Sequence, residues 1–186
     1  ASARADRYPV LLVHGIWDSG AAFKSMARHL RRDGHILHTI DLEPNDGRVG
    51  LDKLAEQVAA YVDRHLPPGA PLDLVGFSMG GLVSRYYVQR LGGVERVRRF
   101  ITIATPHHGS ALAHLLSHPG YVQMRPNSRF LQDLNRDVGM LARLDVTSIW
   151  SPLDLTIVPA RSSRLPVGAE VLIACPLHGL MLADPR

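Results

Sequence analysis

Residues 72 to 82 read Leu-Asp-Leu-Val-Gly-Phe-Ser-Met-Gly-Gly-Leu, and few folds can accommodate that stretch. Leu72, Leu74, Val75 and Phe77 make the apolar run of a buried strand. From Met79 onward Leu82, Val83, Tyr86, Tyr87 and Arg90 recur at helical spacing until Gly92-Gly93 closes the helix. A Gly-x-Ser-x-Gly pattern therefore sits at a sharp strand-to-helix turn, with Ser78 at its apex. Gly76 and Gly80 remove side chains that would clash in so tight a turn, and the helix N-terminus adds a favourable partial charge. A serine hydroxyl is a poor nucleophile at neutral pH, and it becomes useful when lifted clear of the backbone beside a general base and amide donors. The elbow supplies that exposure, so Ser78 is the expected nucleophile.

On either side of the elbow, strands alternate with helices. Val10-Leu11-Leu12-Val13 is a buried strand ended by His14-Gly15; Asp18 or Ser19 then caps a helix with Phe23, Met26, Ala27 and Leu30 on its inner face and Gly34 at its end. A strand over 36–42, a turn at Pro44-Asn45-Asp46-Gly47 and a helix over 51–66 lead to the elbow. Further strands are expected at 100–103, 146–150 and 170–175. Residues 104–144, broken by Pro106, Pro119 and Pro126 and holding short helical pieces such as 127–134, are the natural place for substrate-binding loops. The pattern predicts an α/β protein, a mainly parallel sheet of about six strands with helices on both faces, formed by one domain over 1–186.

Ligand crevices in such sheets lie at the carboxyl ends of the strands, so each functional residue should follow a strand. Asp154 follows the strand ending at Trp150, and His178 follows the one ending at Cys175. The order Ser78, Asp154, His178 is nucleophile, acid, base, with the acid fixing the tautomer of the base. His107 and His108 also follow a strand but precede Asp154, which breaks that order; they read as pocket-lining or hydrogen-bonding residues. Asp133, Asp137 and Asp145 read as solvated surface, and His14 as a structural hydrogen-bonding residue. Two amides are needed for the oxyanion: that of Met79, directly after the nucleophile, and that of Ile16 in the loop after the first strand.

A net charge of +4 and a pI near 9.6 raise the question of nucleic acid, but the basic residues are scattered and nearly all Arg. The densest group, Arg96, Arg98 and Arg99, alternates along a strand, as a solvated face does. Cys175 is the single cysteine, which rules out an intrachain disulfide, and its apolar setting reads as a small buried hydrophobe. No apolar run reaches membrane-span length, no signal peptide is present, and the start at Ala1 suggests a processed N-terminus.

Val13-His14-Gly15-Ile16, the elbow, Thr105-Pro106-His107-His108-Gly109, the run from Ser148 to Asp154, and His178-Gly179-Leu180 together resemble bacterial lipases of the α/β-hydrolase family, in particular the small lidless lipases typified by that of Bacillus subtilis. The resemblance implies a minimal α/β-hydrolase fold and hydrolysis of carboxylic esters, acylglycerols included, by a secreted monomer. It implies no cofactor, and the accompanying expectation is a small-molecule or lipid ester substrate with transient contact with a lipid interface, no nucleic-acid partner and no metal among the site residues. It makes Ser78 the nucleophile, Asp154 the acid, His178 the base, and Ile16 and Met79 the oxyanion donors. Two departures stand out. Only eight residues follow His178, where a C-terminal helix is usual, so that helix is expected to be missing or shortened and the His178 loop less rigid. The Thr105 to Gly109 segment is closer to that of larger lipases, which bears on the lid. An acyltransferase or thioesterase with the same triad, or a non-catalytic binding module, remains an alternative.

Overall fold

A computed structural model describes residues 7–183. The expectations about residue 1 and about a helix after His178 extend outside those residues, as does the reading of 1–186 as one unit. The sheet has six strands in the order β2-β1-β3-β4-β5-β6, all parallel: β1 Val10–Val13, β2 Leu37–Ile40, β3 Leu72–Phe77, β4 Val97–Ile103, β5 Asp145–Trp150 and β6 Ala169–Leu172. The α-helices are α1 Lys24–Arg32, α2 Leu51–His65, α3 Met79–Arg90, α4 Pro119–Met124 and α5 Arg129–Arg136.

β1 and β3 are apolar nearly end to end because both faces are covered. On one face Leu11, Val13, Leu72 and Leu74 pack with Leu54, Val58 and Val62 of α2 and Leu82 and Val83 of α3. On the other, Val10, Leu12, Val75 and Phe77 pack with Phe23 and with Ala27 of α1. Ser19 accepts the Ala21 amide at 3.3 Å and caps a 3-10 turn that runs directly into α1. The β2-β1-β3 order means the chain leaves β1 toward one edge and returns to the other side of β1. The sheet's switch point, where parallel sheets open a crevice, therefore lies between the carboxyl ends of β1 and β3.

The irregular region between β4 and β5 differs most from the expectation. It holds two α-helices as well as 3-10 turns at Ala111–Leu115 and Val138–Arg143. α4, invisible in the hydropathy pattern, is six residues long with Pro119 in its first turn, and its Gln123 reaches α2. The Gln123 Oε1 accepts the Leu51 amide and its Nε2 donates to Asp52 at 2.8 Å. These bonds cap a helix whose own N-cap, Gly50, has no side chain to do so. α5 is tied to α3 by Arg90, which bonds Asp133 at 2.8 Å and Asp137 at 2.6 Å. Those two carboxylates are thus ion-paired rather than merely solvated, whereas Asp145 is exposed as expected.

Candidate active site

At the elbow, Ser78 has φ 53° and ψ −123°, a conformation that L-residues seldom adopt. The surroundings hold it there. The Ser78 amide donates to the Ile103 carbonyl at 2.8 Å, and two glycines let neighbouring backbones come close. A Cβ on Gly76 would meet Gly81 at 2.5 Å, and one on Gly80 would collide with the carbonyl oxygens of Val13 and His14. That second contact presses the end of β1 against the first turn of α3.

The loop after β1 consequently lies close to Ser78. A Cβ on Gly15 would lie 3.1 Å from the Ser78 Cβ. His14 is fully buried and braces this loop. Its Nε2 accepts the Leu42 amide at 2.8 Å, so the proton is on Nδ1, which donates to the Gly15 carbonyl at 2.7 Å. This is the structural role expected of it. Among the described residues neither the Ile16 nor the Met79 amide has a protein acceptor; Met79 directly follows Ser78, and Ile16 directly follows Gly15.

Asp154 and His178 come from the loops after β5 and β6, and the fold brings them together. The His178 Nδ1 and Asp154 Oδ2 are 2.7 Å apart. Asp154 is nearly completely buried, and its other oxygen, Oδ1, accepts the Thr156 amide at 2.8 Å and the Ile157 amide at 3.4 Å. Burial by itself would push the Asp154 carboxyl up; the bond and charge of His178 and those two amides outweigh it and hold the group below the usual carboxylate range. The imidazole lies 4.9 Å, centroid to centroid, from the ring of Phe77, the residue before Ser78. Among the described residues its buried Nε2 has no hydrogen-bond partner, Ser78 included. His178 opens a 3-10 turn, His178–Leu182, whose Met181 and Leu182 insert into the core beside Phe23 and Ala27. That insertion anchors the loop whose rigidity the sequence left in question.

The competing histidines stand elsewhere. His107 is fully buried, its Nε2 pairs with the Thr102 hydroxyl at 3.0 Å, and its carbonyl accepts from Asn135. Burial foremost, then the charges of Arg85 and His108, keep it well below the ordinary imidazole range, so it is neutral. Arg85, in the middle of α3, is itself buried and bonded to Gln89 and to the Leu134 carbonyl; burial brings it down to about 10, still charged at neutral pH. His108 borders a groove of about 520 Å³ with Pro159, Arg161 and Leu165, whose lining includes neither Ser78 nor His178. Cys175 corrects an expectation. β6 ends at Leu172, so Cys175 lies in the following loop, half-buried rather than in the core.

Sequence reasoning missed Ser151. It is buried, and its hydroxyl accepts both the Leu153 amide at 3.1 Å and the Cys175 amide at 3.2 Å. A serine before Pro152 carries no local signal for this, because the second partner is 24 residues away. Among the described residues, no group of three or more His, Cys, Asp or Glu side chains could hold a metal ion, and no helix is long and apolar enough to cross a membrane.

A family model described as alpha/beta hydrolase fold matches residues 8–168. The chain is 32% identical over 115 residues to the human lysosomal thioesterase PPT2, covering 59% of this chain and 37% of that protein. It is also 32% identical over 117 residues to a triacylglycerol lipase of Pseudarthrobacter phenanthrenivorans, covering 59% of this chain and 36% of that one. The chain thus matches little more than a third of the length of these relatives. Among solved structures, the mature lipase BlEst2 of Bacillus licheniformis superposes with a TM-score of 0.74 at 19% identity, over 95% of this chain and 86% of that one.

Proposed function

Because the chain belongs to the alpha/beta-hydrolase family, we propose that it hydrolyses carboxylic esters through an acyl-enzyme on Ser78. The observation that carries this reading is the Asp154–His178 pair, 2.7 Å apart, with a buried Nε2 that no other described residue satisfies. His178 Nε2 takes the Ser78 proton as the hydroxyl attacks the ester carbonyl, while Asp154 holds the proton on Nδ1 and stabilises the imidazolium. The amides of Ile16 and Met79 receive the negative charge on the carbonyl oxygen. His178 then protonates the leaving alcohol. Water, deprotonated by the same nitrogen, releases the acid and restores Ser78.

The substrate is a small or lipid ester, and the reading includes transient contact with a lipid interface by a monomer released from the cell. Exposed Leu112, Leu115 and Leu116 after β4, Leu153 and Leu155 after β5 and Leu177 after β6 support that contact, since all lie in loops leaving the carboxyl edge of the sheet. Thioester cleavage is a second reading, favoured by the likeness to a thioesterase. Incubation with p-nitrophenyl esters and with an acyl thioester, with and without a serine-directed phosphonate, decides between them. The ester reading expects a burst of chromophore, and one phosphonate per chain at Ser78. Phosphonate labelling with turnover of the thioester alone would favour the second reading, and no labelling would refute both.

A further inference from the structure

Trp17 directly follows Ile16 and is the one bulky residue of this loop in the left-handed region, with φ 59°. A tryptophan there carries a backbone cost that a glycine would not, so something must hold it. Two bonds do. Its amide donates to the Asn45 carbonyl at 2.9 Å, and its indole Nε1–H donates to the Tyr121 hydroxyl at 2.9 Å. The latch is itself built into the fold. Gly47, at φ 82°, lets the 44–50 loop lie flat against the Tyr121 ring, where a Cβ would strike it at 2.5 Å. With its only polar atom satisfied, the indole still leaves 65% of the residue's surface uncovered.

An aromatic face of this size, fixed in place and uncovered, is an unfavourable thing to hold in water by a strained backbone unless it meets an apolar ligand. Its position says which part of a ligand. Gly15 lies so close to Ser78 that a Cβ added to it would sit 3.1 Å from the Ser78 Cβ, which puts Trp17, two residues further along the same loop, beside the place where Ser78 would attack a carbonyl. We infer that Trp17, latched by Tyr121, is a specificity-determining residue: its indole is a preformed wall for the apolar chain next to the scissile carbonyl, and it selects esters with a medium-length alkyl chain over acetyl esters. The inference rests on Ser78 being an ester-cleaving nucleophile.

Trp17→Gly tests it without endangering the fold, because glycine adopts this backbone conformation freely. The ratio of kcat/KM for p-nitrophenyl octanoate to that for the acetate, both below their solubility limits, is measured in the wild type, Trp17→Gly and Tyr121→Phe. Trp17→Gly should lower the ratio roughly tenfold, the scale of a lost apolar contact in a specificity pocket. Tyr121→Phe, which keeps the indole but frees it, should lower it by less. The rates of Ser78 labelling by octyl and methyl phosphonates should change in parallel. Equal ratios in all three proteins overturn the inference while leaving the nucleophile intact. So does a loss confined to binding of phosphatidylcholine vesicles, which would make Trp17 an interface anchor instead. Absence of labelling by either phosphonate would instead remove the role of Ser78, and this inference with it.

Discussion

The hydroxyl of Ser151 accepts the amide of Cys175 at 3.2 Å, which fastens the loop bearing His178 to the loop bearing Asp154. The same oxygen accepts the Leu153 amide. One buried atom therefore helps set the spacing of two loops whose side chains meet at 2.7 Å.

Ser151→Ala is expected to leave both amides without their acceptor, at a cost of about 1–3 kcal/mol in stability. It should also lower kcat by about tenfold to a hundredfold with KM little changed, as a misplaced acid–base pair does. The two effects separate in the pH profile. A merely destabilising change leaves the acid limb of kcat/KM where it was, whereas a loosened Asp154–His178 bond shifts it. An unshifted limb with full kcat in the folded variant would show that the tether has no bearing on the pair.

His178→Ala is expected to lower kcat by several orders of magnitude, leaving only what the oxyanion amides and substrate positioning supply. Asp154→Asn should cost on the order of 10³–10⁴ in kcat, because an amide at this position no longer dictates which imidazole nitrogen carries the proton. His107→Ala should act on melting temperature rather than on the chemical step, since its ring is sealed off and bonded to Thr102. Near-normal kcat in His178→Ala, with loss in His107→Ala, would move the base to the loop after β4.

Stability should fall as the medium is acidified below about pH 6.5, and His107 should be a main cause. Its folded pKa is depressed, first by burial and then by Arg85 and His108, so the unfolded chain binds a proton that the folded one refuses. The stabilisation is complete above the ordinary imidazole value and is lost as pH drops from there toward the depressed one, at up to about 1.4 kcal/mol per pH unit for one proton. His38 and His108, also lowered mainly by burial, add to the same window. Melting temperatures of wild type and His107→Gln between pH 7.5 and 5 measure this. The variant's curve should be flatter, and parallel curves would exclude His107 as a source.

Two glycine substitutions should part in opposite directions. A Cβ on Gly80 meets the Val13 and His14 carbonyls, rigid backbone at the join of β1 and α3, so Gly80→Ala should prevent folding or cost more than about 3 kcal/mol. Gly139, in the 3-10 turn before β5, has nothing within 4 Å and no left-handed backbone. Gly139→Ala should raise stability by about 0.4–1 kcal/mol by restricting the unfolded chain, readable as a rise in melting temperature. A fall at Gly139 would contradict the open space around it.

What could be read from the sequence alone was local or periodic. The elbow declared itself because an apolar strand, a glycine-flanked serine and a run of apolar residues at helical spacing are contiguous, and the parallel sheet because buried strands alternate with helices. That Asp154 and His178 were candidates followed from each standing just past a strand. Tertiary structure decided what depends on residues far apart in the chain. It set the 2.7 Å approach of Asp154 to His178, the tether from Ser151 to Cys175, the capping of α2 by Gln123 from a helix six residues long, and the latch of Trp17 to Tyr121 across 104 positions. Cys175 looked like a core residue because its neighbours are apolar, yet the edge strand β6 is exposed along its whole length and stops at Leu172, and Cys175, in the loop beyond, packs against the core only from its margin. Hydropathy registers what a segment prefers to be near. Which partner it meets is fixed only when the sheet order and the loop lengths bring two distant backbones into one small volume.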